Sequence, residues 1–149
     1  FVVNVDGESD KQQANVLEAQ LISYGAQEAG RIQLAVGADL NAYYDAAAVA
    51  VQDPHRIICY IGGSEDSFQF ALALGMTGKV GPPSERAFIV FSGISPSKYE
   101  DEGWSEQQLA LGRATLEGTL SLQPNEGYSP DFKEALLERY PELEEFDDD

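Results

Sequence analysis

Three short apolar runs, at 2–5, 56–61 and 87–91, constrain this chain more than any other feature. They are rich in β-branched residues and lack the in–out alternation of a half-exposed strand. Strands of that kind are covered on both faces, the mark of a parallel sheet held between two helical layers. Less apolar runs at 32–36 and 119–122 bring the expected strands to five.

Helical patterns fill the intervals. Ser9 with Gln12 fits a capping box, and Ala14, Leu17, Leu21 and Tyr24 fall on one face of the helix that follows. An Ala-rich helix is predicted over 39–51, stopped by Asp53-Pro54 because proline restricts the residue before it. Ser64 opens a third helix, which takes in Phe68, Ala71, Leu72 and Leu74 and fades at Gly75. After a loop around Gly81-Pro82-Pro83, a second capping box joins Ser105 to Gln108, with Trp104 and Leu109 as a hydrophobic staple and a helix running to Leu116. Ser129-Pro130-Asp131 caps a last helix that carries Phe132, Leu136, Tyr140 and Leu143 along one face. Strands alternating with helices predict a single α/β domain over 1–141: a three-layer sandwich around a five-stranded, mainly parallel sheet, flavodoxin-like in architecture. Residues 142–149 form an acidic tail.

Composition removes several classes of function. The 149 residues carry 26 Asp+Glu against 9 Lys+Arg, a net charge of −17, so nucleic acid and anionic membrane surfaces are not expected partners. No apolar run approaches the roughly 20 residues that span a bilayer. One cysteine, Cys59, precludes an internal disulfide framework, and one histidine, His55, precludes a histidine metal cluster or a Cys-His pair at that placement. The chain reads as soluble and suited to a reducing or intracellular compartment. Its start at Phe1 reads as the result of processing or truncation.

In this architecture the working face is the carboxyl edge of the sheet, where strand-to-helix loops gather. Asp6, Glu8 and Asp10 in the first loop and Glu65 and Asp66 in the third could share a Mg²⁺ ion through oxygen ligands. Taken singly, each is also a turn or helix-start residue. Gly62-Gly63-Ser64 is neither a dinucleotide fingerprint nor a P-loop, and the acids behind it repel an anion; a tight turn with positive φ at glycine is the expectation. Tyr43 and Tyr44 are adjacent on a helix and cannot share a face, so one of them is available to a partner.

Two families share these features. Val3-Asn4-Val5-Asp6-Gly7-Glu8, Leu21-Ile22-Ser23-Tyr24-Gly25, Phe91-Ser92-Gly93 and Leu122-Gln123-Pro124, followed by Phe132-Lys133-Glu134-Ala135-Leu136, resemble successive segments of the receiver domain of two-component response regulators. The chain departs from that pattern where the third strand ends: Tyr60, Ile61 and Gly62 replace the phosphoacceptor aspartate, Gly7 one of the paired acids, and Gln123 the lysine. The resemblance therefore implies a degenerate receiver, acting by protein–protein contact and needing no cofactor. Val5-Asp6-Gly7-Glu8, Ala38-Asp39 with Asp45, and Gly63-Ser64-Glu65-Asp66-Ser67-Phe68 are similar to the acidic motifs of NYN/PIN-type nucleases. That second resemblance implies Mg²⁺ on Asp6, Asp39, Glu65 and Asp66, activating water for phosphodiester cleavage.

The leading expectation is a non-catalytic interaction or regulatory module, bound to another protein or to copies of itself in an assembly. Tyr43, Tyr44, Ser92, Lys98 and Tyr99 are its candidate contact residues. A Mg²⁺-dependent nuclease or phosphohydrolase is the alternative, and a structural subunit of a viral or organellar complex a third.

Overall fold

The computed structural model describes residues 1–26, 30–80, 86–91, 103–117 and 119–121. Five parallel strands make one sheet in the order β2-β1-β3-β4-β5: β1 (Val2–Val5), β2 (Arg31–Leu34), β3 (Ile57–Ile61), β4 (Ala87–Val90) and β5 (Leu120–Ser121). The helices are α1 (Glu8–Ser23), α2 (Leu40–Ala50), α3 (Ser64–Thr77) and α4 (Glu106–Leu116). Contacts of α3 with both α2 and α4 place these three in one layer, while α1 packs on β1 and β3. The result is the flavodoxin-like three-layer α/β sandwich expected from the apolar strands.

The larger core lies under α2 and α3, where Val3, Tyr43, Ile58, Tyr60, Phe70 and Leu74 are wholly buried. A smaller one, of Val2, Ala14, Cys59 and Ile61, lies under α1. Burial raises the Cys59 thiol above its ordinary range, despite an opposing pull from the positive N-terminus. Buried Asn4 in β1 accepts a 2.9 Å hydrogen bond from Arg31 Nε, and Arg31 Nη1 reaches Asn15 at 2.7 Å, tying β1 and the edge strand β2 to α1.

Several local expectations shift by a residue or more. The first helix starts at Glu8, so Ser9 sits inside its first turn; Gly7 is the N-cap with no side-chain bond, and Gln12 donates to Glu8 at 3.4 Å instead. Tyr24 lies past the end of α1 and is 88% exposed, so it leaves the face that Ala14, Leu17 and Leu21 share. The second strand stops at Leu34, because β1 offers no partner beyond the Val5–Leu34 pair, and Val36 is exposed. The third helix passes through Gly75, which adjoins Leu111 and Thr115 of α4, and ends at Gly78, whose φ of +62° a glycine adopts without strain. The Ser105–Gln108 capping box forms as expected, with Ser105 N–H donating to Gln108 Oε1 at 3.0 Å. The Trp104 ring packs against Phe68, centroids 5.8 Å apart. The expected helix with Phe132, Leu136, Tyr140 and Leu143 lies outside the described residues, as does the acidic tail.

Candidate functional site

Parallel pairing brings the ends of β1, β2 and β3 to one edge, and with them the loops that carry the acids. Asp6 follows β1 and pairs with Lys11, Nζ to Oδ1 at 2.7 Å. Asp39 caps α2, its Oδ1 accepting the Ala42 N–H at 3.0 Å. Glu65 is exposed in the first turn of α3. Asp66, on the next residue, accepts the Tyr43 hydroxyl at 2.9 Å. Among the described residues, no group of three or more His, Cys, Asp or Glu is placed to hold a metal ion. The set of Asp6, Asp39, Glu65 and Asp66 named from sequence is thus not a preassembled cluster.

The edge brings together a different pair. Asp10, in the first turn of α1, lies over Gly7: a Cβ built there would stand 2.8 Å from Asp10 Oδ2. Burial, and then the charge of Asp66, hold the Asp10 carboxyl above its ordinary range. Below this pair lie two wholly buried tyrosines. Burial and the bond to Asp66 push the Tyr43 hydroxyl far above its usual value. Burial, with Tyr43 and Asp66 nearby, does the same to Tyr60. Among the described residues the Tyr60 hydroxyl has no well-formed hydrogen-bond partner, and it sits against the backbone of Gly62, where a Cβ would come within 2.7 Å of it. This close approach, not a left-handed φ, explains glycine at 62; the positive-φ glycines among the described residues are Gly25, Gly37, Gly78 and Gly103.

Tyr43 is a correction to the contact residues named from sequence. It is buried in the core, and its partly exposed neighbour Tyr44 is the one that reaches the surface. The signal was present: Tyr43, Ala46, Ala47 and Ala50 stand at helical spacing and are all buried. Ser92, Lys98 and Tyr99 lie outside the described residues. His55, at the opposite edge, serves structure: its backbone N–H donates to Asp53 Oδ1 at 2.9 Å and its ring Nδ1 touches the same oxygen. Burial alone would raise the Asp53 carboxyl, but these His55 contacts outweigh it and hold it below its ordinary range.

The Asp10 environment gives a pH-dependent expectation. Its folded pKa lies above the unfolded one, so the charged form is disfavoured in the fold. The associated stability is present below the unfolded value and lost as pH rises through the folded value. Asp10→Asn is therefore expected to raise Tm at pH 7 and to lose that advantage below about pH 4, the unfolded carboxylate range. Thermal melts from pH 3 to 8 read this; a lower Tm at pH 7 would mean that attraction to the α1 N-terminus outweighs both burial and the repulsion from Asp66.

The fold and its carboxyl edge define the class: a parallel α/β sandwich with a tyrosine-floored acidic pair. The sequence matches no protein-family model and none of the curated proteins compared with it.

Proposed function

We propose that this domain is a non-catalytic interaction or regulatory module, resembling a receiver that has lost its phosphoacceptor, within a larger assembly. The supporting observation is the end of β3. Where a receiver would present an aspartate, Tyr60 and Ile61 are wholly buried and Gly62 follows. Three of the surrounding acids have local partners: Asp6 has Lys11, Asp39 its own helix, and Asp66 Tyr43. A carboxylate already satisfied this way is a poor nucleophile and a costly ligand to recruit.

One observation favours the metal-dependent alternative: Asp66 raises the Asp10 pKa, a repulsion that a cation between the two would relieve. Both readings meet in one experiment on the full chain. A small-molecule phosphodonor with Mg²⁺ is expected to leave every loop carboxylate unmodified by mass spectrometry. Mg²⁺ or Mn²⁺ is expected to raise Tm no more than NaCl of matched ionic strength, since screening alone stabilises a chain of charge −17. A specific shift, lost in Asp10→Asn/Asp66→Asn and accompanied by cleavage of single-stranded RNA or DNA, would promote the nuclease. The interaction reading also requires Tyr44→Ala or Lys98→Glu to weaken a complex recovered from the native source without lowering Tm. If complexes withstand both changes, the contact surface lies elsewhere.

A further inference from the structure

Two helices begin side by side at the carboxyl edge in the same way. The first, α1, follows β1, and α3 follows β3, its neighbour in the sheet. Each has glycine at its N-cap, Gly7 or Gly63, with no side-chain bond, and each has aspartate three residues further on. Both carboxylates lie back over their glycine: a Cβ on Gly7 would stand 2.8 Å from Asp10 Oδ2, and one on Gly63 3.3 Å from Asp66 Oδ2. Taken alone, each aspartate answers the positive end of its own helix. Together they repel, since the charge of Asp66 is felt at Asp10. The core side of the pair holds a second anomaly. Tyr60 is wholly buried, its hydroxyl has no well-formed partner among the described residues, and the polar groups around it are Tyr43, Asp66 and Asp10. Tyr43 already gives its proton to Asp66 at 2.9 Å. A buried hydroxyl without a partner costs free energy, so its place behind two carboxylates calls for a reason.

We propose that Asp10 and Asp66 together seat one arginine side chain of a partner protein, the Tyr60 hydroxyl completing the site from below. The inference rests on the interaction reading above and names the chemistry of its partner. Charge selects a cation: residues 6–11, 35–39 and 62–67, which gather at this edge, carry six acids and one base, Lys11, which Asp6 already holds. Donor number selects a guanidinium. It brings five N–H donors in a rigid fork, enough for carboxylates on two separate helices. A metal ion is less suited, since among the described residues no group of three or more His, Cys, Asp or Glu is placed to hold one. Seating the guanidinium also offsets the repulsion within the pair, so that Asp10 stays ionised and offers the Tyr60 hydroxyl an acceptor. The approach is open, with Glu8, Gly63 and Glu65 exposed around the pair.

Amide NMR of the full chain tests this, with a short peptide carrying one arginine titrated against the same peptide carrying citrulline, which keeps the shape and loses the charge. The arginine peptide is expected to move the Gly7 and Gly63 amides saturably. It should bind about tenfold tighter than the citrulline peptide in about 0.1 M NaCl, which screens diffuse attraction to a chain of charge −17. Asp10→Asn/Asp66→Asn should abolish that preference, and Tyr60→Phe, which deletes only the buried hydroxyl, should weaken binding several-fold. Equal binding of the two peptides, shifts confined to the acidic residues 142–149, a preference that survives in the folded double variant, or full affinity in Tyr60→Phe would each overturn the assignment. Displacement of the peptide by Mg²⁺, beyond the effect of NaCl at matched ionic strength, would also overturn it and give the pair to a metal. The peptide comparison uses the unaltered chain, so it decides the matter even where a variant fails to fold. If the arginine peptide fails while complexes from the native source still weaken on Tyr44→Ala, the interaction reading stands and this site alone is withdrawn.

Discussion

Phe70→Ala is expected to destabilise the domain by about 3–5 kcal/mol, the largest loss of any single truncation considered. The ring is wholly buried and stacks on Tyr60 with centroids 4.9 Å apart, while Phe88 meets it edge-on at 5.7 Å. It joins α3 to both β3 and β4, so its removal takes contacts from three elements together. The cavity cannot close easily, because Tyr60 and Phe88 are held by strand pairing rather than by mobile loops. At about 2–4 °C per kcal/mol for a chain of this size, Tm should fall by about 10 °C. Phe70→Leu, which keeps most of the volume, should lose less than half as much. Urea titration separates the cases: a midpoint shift at constant m-value reports the cavity, and a changed m-value reports a altered end state. A loss under about 1 kcal/mol would show that α3 does not depend on this aromatic cluster.

Gly112→Leu should destabilise by about 3 kcal/mol for the opposite reason, overpacking. Glycine inside a helix costs about 1 kcal/mol relative to alanine, so its presence in the middle of α4 needs a cause. The cause is Phe68 of α3, whose buried ring occupies the place of a side chain; a Cβ on Gly112 would stand 2.6 Å from Phe68 Cζ. Across the same crossing, a Cβ on Gly75 would come within 3.0 Å of Leu111 Cγ and would overlap Thr115 Oγ1. Leucine at 112 must therefore push α4 away from α3 or displace the Phe68 ring from its place beside Trp104. Pairing Gly112→Ala with Phe68→Leu should recover part of the loss of either change alone, a non-additivity that thermal melts can measure. Strict additivity would mean that the two residues do not share the crossing.

The amino-acid order by itself determined the layered architecture and much of its punctuation. The apolar runs at 2–5, 56–61 and 87–91 identified strands buried on both faces, and Ser105 with Gln108 located the start of α4, because both signals arise from neighbours in the chain. The acids at the carboxyl edge were likewise legible as a group, since a parallel sheet must gather its strand-to-helix loops there. The partner each acid meets was not. Only the tertiary structure separated Asp6, held by Lys11, from Asp10, which faces the charge of Asp66. It also placed Tyr43 in the core and left Tyr44 to the surface, and gave Gly62 its reason in the Tyr60 hydroxyl rather than in a turn. These outcomes depend on contacts between residues distant in sequence, where a displacement of one or two ångströms decides whether a carboxylate meets a cation, a hydroxyl or another carboxylate. Local propensity carries no term for such distances, so the edge could be read from the chain but its chemistry only from the fold.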